Sequence, residues 1–228
     1  MPTVTEPRGG PPLSVDGRFG RFTRKGGVRD LYTQAASAAS TDLGLTSHLF
    51  PDEQTVNGAL LPEGTDPAPD PELDEEVLRK IVDFIRFLAP PSPERPATPA
   101  ARDTLRRGEA LFHSIGCTSC HTPSMETGPS ETEALDHKTI HLYSDLLLHD
   151  LGADYRTVCR GEAAPTEFKT ARLQGFRYRF PVVQDIIESP GIEWTILRHG
   201  GEAQSAKDAF GALVLKERRL VLRFLMSL

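Results

Sequence analysis

Cys117-Thr118-Ser119-Cys120-His121 is the one stretch of this chain whose residue types and spacing write out a specific chemistry. Two thiols at i and i+3 lie on one side of a helical turn, where both can add to the vinyl groups of a single porphyrin. The next residue, His121, is then held beneath the ring, with its imidazole placed to take the proximal axial position on iron. The spacing therefore predicts one covalently attached haem c, with Cys117 and Cys120 as attachment points and His121 as the iron ligand. Two other chemistries use the same residue types. A thioredoxin-like redox pair needs its Cys-x-x-Cys at the start of a helix in a βαβ setting, and strand patterns are scarce here. A zinc site built from Cys117, Cys120, Cys159 and a histidine lacks a second closely spaced ligand pair. Cys159, in Val158-Cys159-Arg160-Gly161, reads as a free thiol on or near a loop.

A haem held this way needs helices around it, and the pattern supplies them. Residues 100 to about 115 read as a helix, with Leu105, Leu111, Phe112 and Ile115 on its buried side. The stretch with Gly108 four residues before Phe112, shortly before the cysteine motif, resembles the N-terminal helix of small soluble cytochrome c domains. That resemblance implies a close crossing with a last helix, for which Leu220, Leu222, Phe224 and Leu225 could supply the apolar side chains. Three short helices close the chain, over residues 191–198, 203–213 and 216–226, and a further helical pattern covers Thr139 to His149. The only period-two stretch, Phe176 to Val182, is interrupted by Pro181. The expected fold is mostly α: a cytochrome c-like helical domain with an N-terminal helical and loop-rich extension.

Upstream, residues 1 to about 26 are rich in Gly, Pro and Arg and read as an extended arm. A short helix is expected from Val28 to about Thr41, ended by Gly44. From Asp52 to Glu76 there are nine acidic residues and no basic one, which reads as a solvated acidic loop. A clearer helix spans residues 72–88, with Val77, Leu78, Ile81, Val82, Ile85 and Leu88 on one face. Phe84 and Phe87 widen that stripe, so burial against more than one neighbour is expected. Five prolines then fall within residues 89–99 and mark a stiff linker over 90–99. The boundaries that follow are an extension over 1–89, the linker, and a haem domain over 100–228.

The 228 residues are 38% hydrophobic and 25% charged with a net charge of −6, a soluble globular composition. Apolar runs of four residues or fewer exclude a membrane span. The acidic balance argues against nucleic acid as a partner. The first eight residues hold no apolar h-region, so no signal peptide is written there. Haem attachment to Cys-x-x-Cys-His takes place on the oxidising, extracytoplasmic side of a membrane. A periplasmic location is therefore expected, with an export signal or haem-bearing segment further upstream.

Several phrases, taken in order, resemble the C-terminal, cytochrome c-like part of the bacterial di-haem oxidoreductases, which are labelled peroxidases or thiol oxidoreductases. They are Gly17-Arg18-Phe19-Gly20, Thr41-Asp42-Leu43-Gly44-Leu45-Thr46-Ser47, Arg86-Phe87-Leu88-Ala89-Pro90-Pro91 and Gly108-Glu109-Ala110-Leu111-Phe112. The cysteine motif follows, then Leu142-Tyr143-Ser144-Asp145-Leu146-Leu147-Leu148-His149-Asp150, Glu167-Phe168-Lys169-Thr170 and Arg198-His199-Gly200-Gly201-Glu202-Ala203. The resemblance covers about nine tenths of the chain and the later part of a family member. It implies an earlier haem site, whereas this chain has a single Cys-x-x-Cys-His. It also implies a methionine after His149-Asp150 as the distal iron ligand, where this chain has Leu151, which has no donor atom. A His-Asp-Gly-Arg-like turn near Gln184-Asp185 is altered too. For the distal position His149, His199, Met226 or an open site remain, with His149 nearest the family's methionine. Arg172, Arg177 and Arg179 are candidates to pair with haem propionates. The function expected is electron transfer through one haem, with a redox protein or an upstream haem domain as partner. The alternative is a peroxidase-like oxidoreductase acting at an open iron.

Overall fold

Thr98 closes the proline-rich stretch by capping a helix: its hydroxyl accepts from the Ala101 amide at 3.2 Å, and Pro99 takes the first helical position. In the computed structural model, which describes residues 9–13, 17–53, 55, 59, 61–62, 64–157, 163–179, 183–184, 187–188 and 191–228, six α-helices are present. They are α1 (Leu31–Leu43), α2 (Glu75–Arg86), α3 (Pro99–Ser114), α4 (Ile192–Leu197), α5 (Gln204–Ala212) and α6 (Leu215–Leu225). The chain is helix-rich without being nearly all helix, at 39% helical and 9% strand.

The main core forms where α3 crosses α6. Gly108 is buried at the crossing, and a Cβ built on it would lie 2.2 Å from the Leu220 carbonyl oxygen and 2.8 Å from Phe224 Cβ. Only hydrogen fits there, which is why the helices approach so closely. One turn on, the Phe112 and Phe224 rings stand 5.5 Å apart. Phe112, Ile115, Phe210, Val221, Phe224, Leu225 and Leu228 form the buried cluster, with Leu111, Cys117, Tyr143, Ile192 and Ile196 packed on it. Each large apolar side chain buried there contributes about 1.5–3 kcal/mol. The expected buried residues Phe112 and Ile115 are at its centre, while Leu105 is only partly buried.

Between α3 and α4 the backbone differs from expectation. The helix expected over Thr139–His149 is absent: Thr139–Ile140 (β2) pairs antiparallel with Met125–Glu126 (β1), and Leu148–Asp150 (β3) pairs with Glu167–Lys169 (β4). His137, Tyr143 and Leu146 all have positive φ (45°, 52° and 62°), a left-handed geometry that no α-helix continues through. Of the apolar residues Leu142, Leu146, Leu147 and Leu148, only Leu148 is buried, and Leu146 is exposed on this winding segment. Phe176–Arg179 is a 3₁₀ turn instead of a strand, and a small hairpin pairs Val183–Gln184 (β5) with Ile187–Glu188 (β6). No helix among the described residues is long and apolar enough to cross a membrane.

The N-terminal portion packs as a second cluster of Ala36, Ala39, Leu73 and Leu78, flanked by Tyr32, Ala35, Leu45 and Phe50. Asp30 caps α1 through the Thr33 amide at 2.8 Å, and Gly44 ends it at φ 73°. Burial of α2 is far less than its apolar stripe suggests. Only Leu78 and Val82 face inward, while Val77, Ile81, Phe84, Ile85, Phe87 and Leu88 are exposed. Amphipathic spacing shows which side chains share a face; it does not supply the neighbour that covers them. The arm and linker are strapped to the later half. Gly10 exchanges backbone hydrogen bonds with Leu148 at 2.9 and 2.8 Å. The Lys25 ammonium, 3% exposed, donates to the carbonyls of Ala164, Pro165 and Glu167 at 2.6, 3.1 and 2.7 Å. Glu94 in the linker receives a paired hydrogen bond from Arg223 on α6, and its amide donates to the Ser227 carbonyl at 2.7 Å.

Candidate functional site

The α3 helix stops at Ser114, and Gly116 in the left-handed region (φ 86°) turns the chain into a 3₁₀ turn, Cys117–Ser119. Cys117 begins that turn and Cys120 caps its end. Each is a free thiol and each is partly buried, Cys117 against the main core. Burial pushes the Cys117 thiol up to about 12, so it stays protonated at neutral pH. The His121 amide donates to the Cys117 carbonyl at 2.9 Å and closes the turn around the motif.

The winding segment after β2 positions the imidazole. Ser144 N donates to Thr122 O and Asp145 N to Cys120 O, both at 2.9 Å, locking residues 143–145 against 120–122. This brings the Tyr143 carbonyl 2.9 Å from His121 Nδ1. A carbonyl can only accept, so Nδ1 carries the proton and Nε2 keeps its lone pair, the tautomer that ligates a metal. Packing around the ring disfavours its cation and, as the largest effect, pushes its pKa down to about 4. Phe112 lies 6.3 Å from the His121 ring, and Tyr143 and Phe224 stand edge-on behind it at 5.8 Å from each other. Two free thiols, a neutral imidazole with an available nitrogen and an aromatic wall are the donor set and surroundings that a covalently held haem requires. The residues fit the group.

His149 is brought beside Cys120, as the sequence proximity to position 151 suggested, but not as a ligand. It is 4% exposed, with Nε2 2.8 Å from Asp145 and Nδ1 3.0 Å from Glu202. The Asp145 carboxylate, followed by Cys120, holds its pKa up at about 11, so the ring is an imidazolium. Both nitrogens are thereby engaged as donors, and His149 is corrected from a candidate distal ligand to the hub of an ion-pair network. Gly9 in the arm lies flat against this ring, where a Cβ would fall 2.2 Å from its Cε1. The ligand atoms of Cys120, Asp145 and His149 do lie within 4.8 Å of one another. Asp145 and Glu202 are the residues that sequence reasoning overlooked. The Asp145–His149 spacing of four was visible, but it belongs to a turn and strand and not to a helix face.

The charge on His149 has a measurable consequence. Its folded pKa is raised from 6.5 to about 11, so its stabilisation is complete below about pH 6.5 and drains away as pH rises toward 11. Asp145 is held low by His149 against an opposing burial effect, so its share is present above 3.8 and is lost on acidification. Urea midpoints of the chain should fall steadily from near-neutral to alkaline pH. His149→Gln should flatten that fall and cost about 1.5–3 kcal/mol near neutrality, the range of one charge-assisted hydrogen bond. A wild-type midpoint that does not change with pH would remove the buried imidazolium.

Of the other expected residues, Leu151 follows β3, and its carbonyl accepts from Gly200 N at 3.0 Å. His199 is thereby brought next to position 151. Met226 caps the end of α6. Arg177 is committed to the Ser92 carbonyl at 2.6 Å and to the Tyr178 hydroxyl. Cys159, Asp185 and the side chain of Arg179 lie outside the described residues. Among known proteins, neither the curated sequences nor the solved structures give a match. One family model, described as di-haem oxidoreductase, putative peroxidase, matches residues 4–228.

Proposed function

The chain belongs to the di-haem oxidoreductase family, and on that premise we propose that it is a c-type cytochrome module that holds one covalent haem and transfers electrons. The observation that carries this reading is the 2.9 Å hydrogen bond from His121 Nδ1 to the Tyr143 carbonyl, made beside two free thiols. It leaves Nε2 as the ligating atom and raises the donor strength of the imidazole. Cys117 and Cys120 hold the group by adding S–H across two vinyl double bonds, sulfur to one carbon and hydrogen to the other, without net oxidation. Bound there, haem supplies a one-electron iron couple. The chain's contribution is to fix the ring of His121, to exclude water with Phe112, Tyr143 and Phe224, and to keep the cysteines on one turn. The glycine-mediated crossing of α3 with α6 supports a cytochrome c-like domain over 100–228, joined by the linker 90–99 to an N-terminal extension corresponding to the end of a preceding family domain.

A second reading, a peroxidase-like enzyme working at an open iron, is favoured by the family's description. The family is named for two haems, so a partner haem on an upstream domain or on a separate redox protein completes either reading. Covalent attachment places the protein outside the cytoplasm, in the periplasm. The test is expression behind a signal sequence in a haem-maturation strain, followed by haem staining of a denaturing gel and intact-mass measurement. One stained band with the added mass of one haem is expected. An exported, folded product that stays colourless and gains no mass refutes the reading. A ferric spectrum that shifts on adding peroxide would favour the second reading over the first.

A further inference from the structure

Seven histidines are present, and all fall in described parts of the chain. Besides His121, one alone is a neutral ligand in waiting. His137 is exposed and bonded to Glu126. His48 meets the Tyr32 hydroxyl far from the site, and His113 and His141 are exposed. His149 is doubly engaged, as described above. His199 differs from all of these. Its Nδ1 lies 2.9 Å from the Thr195 carbonyl, one turn back on α4, so Nδ1 carries the proton and Nε2 keeps the lone pair. That is the same tautomer, fixed by the same kind of backbone acceptor, as His121 shows.

The ring is also held in place. Tyr155 stands edge-on to it at 5.8 Å and donates its own hydroxyl to the same Thr195 carbonyl at 3.2 Å. The segment that follows His199 is tied to the attachment turn by an unbroken series of contacts. Gly200 N donates to Leu151 O at 3.0 Å, and Glu202 bonds His149 and the Asp150 amide at 3.0 and 3.1 Å. His149 reaches Asp145, whose amide is bonded to the Cys120 carbonyl. Gly201, at φ 53°, lets this segment approach, since a Cβ there would lie 2.3 Å from the Asp150 carbonyl oxygen. Ile192 and Ile196 of α4 pack on the core cluster against which Cys117 also packs.

From this arrangement we propose that His199, through Nε2, is the second axial ligand of the iron that His121 holds. The inference rests on the haem reading above and deepens it: a bis-imidazole iron is six-coordinate, so the site moves electrons in preference to binding peroxide. Leu151 then needs no donor atom, because the adjacent segment brings one.

The test uses the haem-loaded, full-length chain. Wild-type ferric protein is expected to be low-spin, with the near-infrared charge-transfer band of two imidazoles. His199→Ala is expected to become high-spin and to return to low-spin on adding free imidazole, with gel haem staining unchanged. His199→Met is expected to stay low-spin with a raised reduction potential, as a thioether ligand confers. A stained but high-spin wild type overturns the assignment, as does a His199→Ala protein that keeps the wild-type near-infrared band. A wild type that takes up no haem overturns the haem reading itself and this assignment with it.

Discussion

Replacing Cys117 and Cys120 together with alanine is expected to abolish covalent haem, leaving a denaturing-gel band that takes no haem stain. Any pigment remaining on the native double variant should extract into acidified organic solvent, because only reversible coordinate bonds from imidazole then hold it. Each single variant keeps one thiol at the same 3₁₀ turn, so it should stain and show a shifted spectrum from the one vinyl group left unreacted. The folded chain should tolerate these changes. Cys117 lines the main core without belonging to its buried centre, and Cys120 is partly exposed. Circular dichroism and a urea titration of the haem-free variants check that point, which separates loss of attachment from loss of fold. A double variant that still stains after denaturation would show that attachment lies elsewhere.

The second large effect is on stability. Gly108→Ala gains about 1 kcal/mol of helix propensity, yet its methyl group would sit 2.2 Å from a backbone carbonyl on α6. Backbone cannot turn aside as a flexible side chain can, so α3 and α6 must separate and the Phe112–Phe224 contact opens. Overpacking of this kind costs about 1–3 kcal/mol, so against the propensity gain of about 1 kcal/mol the net expectation is a loss of up to about 2 kcal/mol in a urea titration. Gly108→Leu should prevent native packing altogether, read as loss of a cooperative melt. Arg107→Ala, exposed on the same helix, is the control and should change stability by less than about 0.5 kcal/mol. An unchanged midpoint in Gly108→Ala would mean that the crossing is looser than the structure shows.

Much of the helical framework was legible because its signals are local. Thr98 and Pro99 start α3, Gly44 ends α1, and the Gly200-Gly201 break separates α4 from α5 within a few residues of expectation. The α3–α6 crossing was expected from the resemblance of the Gly108–Phe112 stretch to the first helix of small cytochrome c domains, and the buried Gly108 sits at that crossing. The segment from Thr139 to His149 was misread. Its apolar spacing suits a helix, but two left-handed residues, Tyr143 and Leu146, bend it between short strands paired with Met125–Glu126 and Glu167–Lys169. The exposed face of α2 was misread for the converse reason, because a stripe of apolar residues does not state what it faces.

By itself, then, the amino-acid order determined the chemistry available: two thiols and an imidazole within five consecutive positions, on a turn that any local backbone preference would place after α3. Only the tertiary structure decided which histidine does what. Burial keeps His121 and His199 neutral, and the carbonyl set against each Nδ1 leaves Nε2 as the free nitrogen. His149 becomes a cation because folding sets Asp145 and Glu202 against its two nitrogens. The protonation state and coordinating power of an imidazole are set by the groups within hydrogen-bonding distance, and for His121 and His149 folding draws these from 22 and 53 residues away.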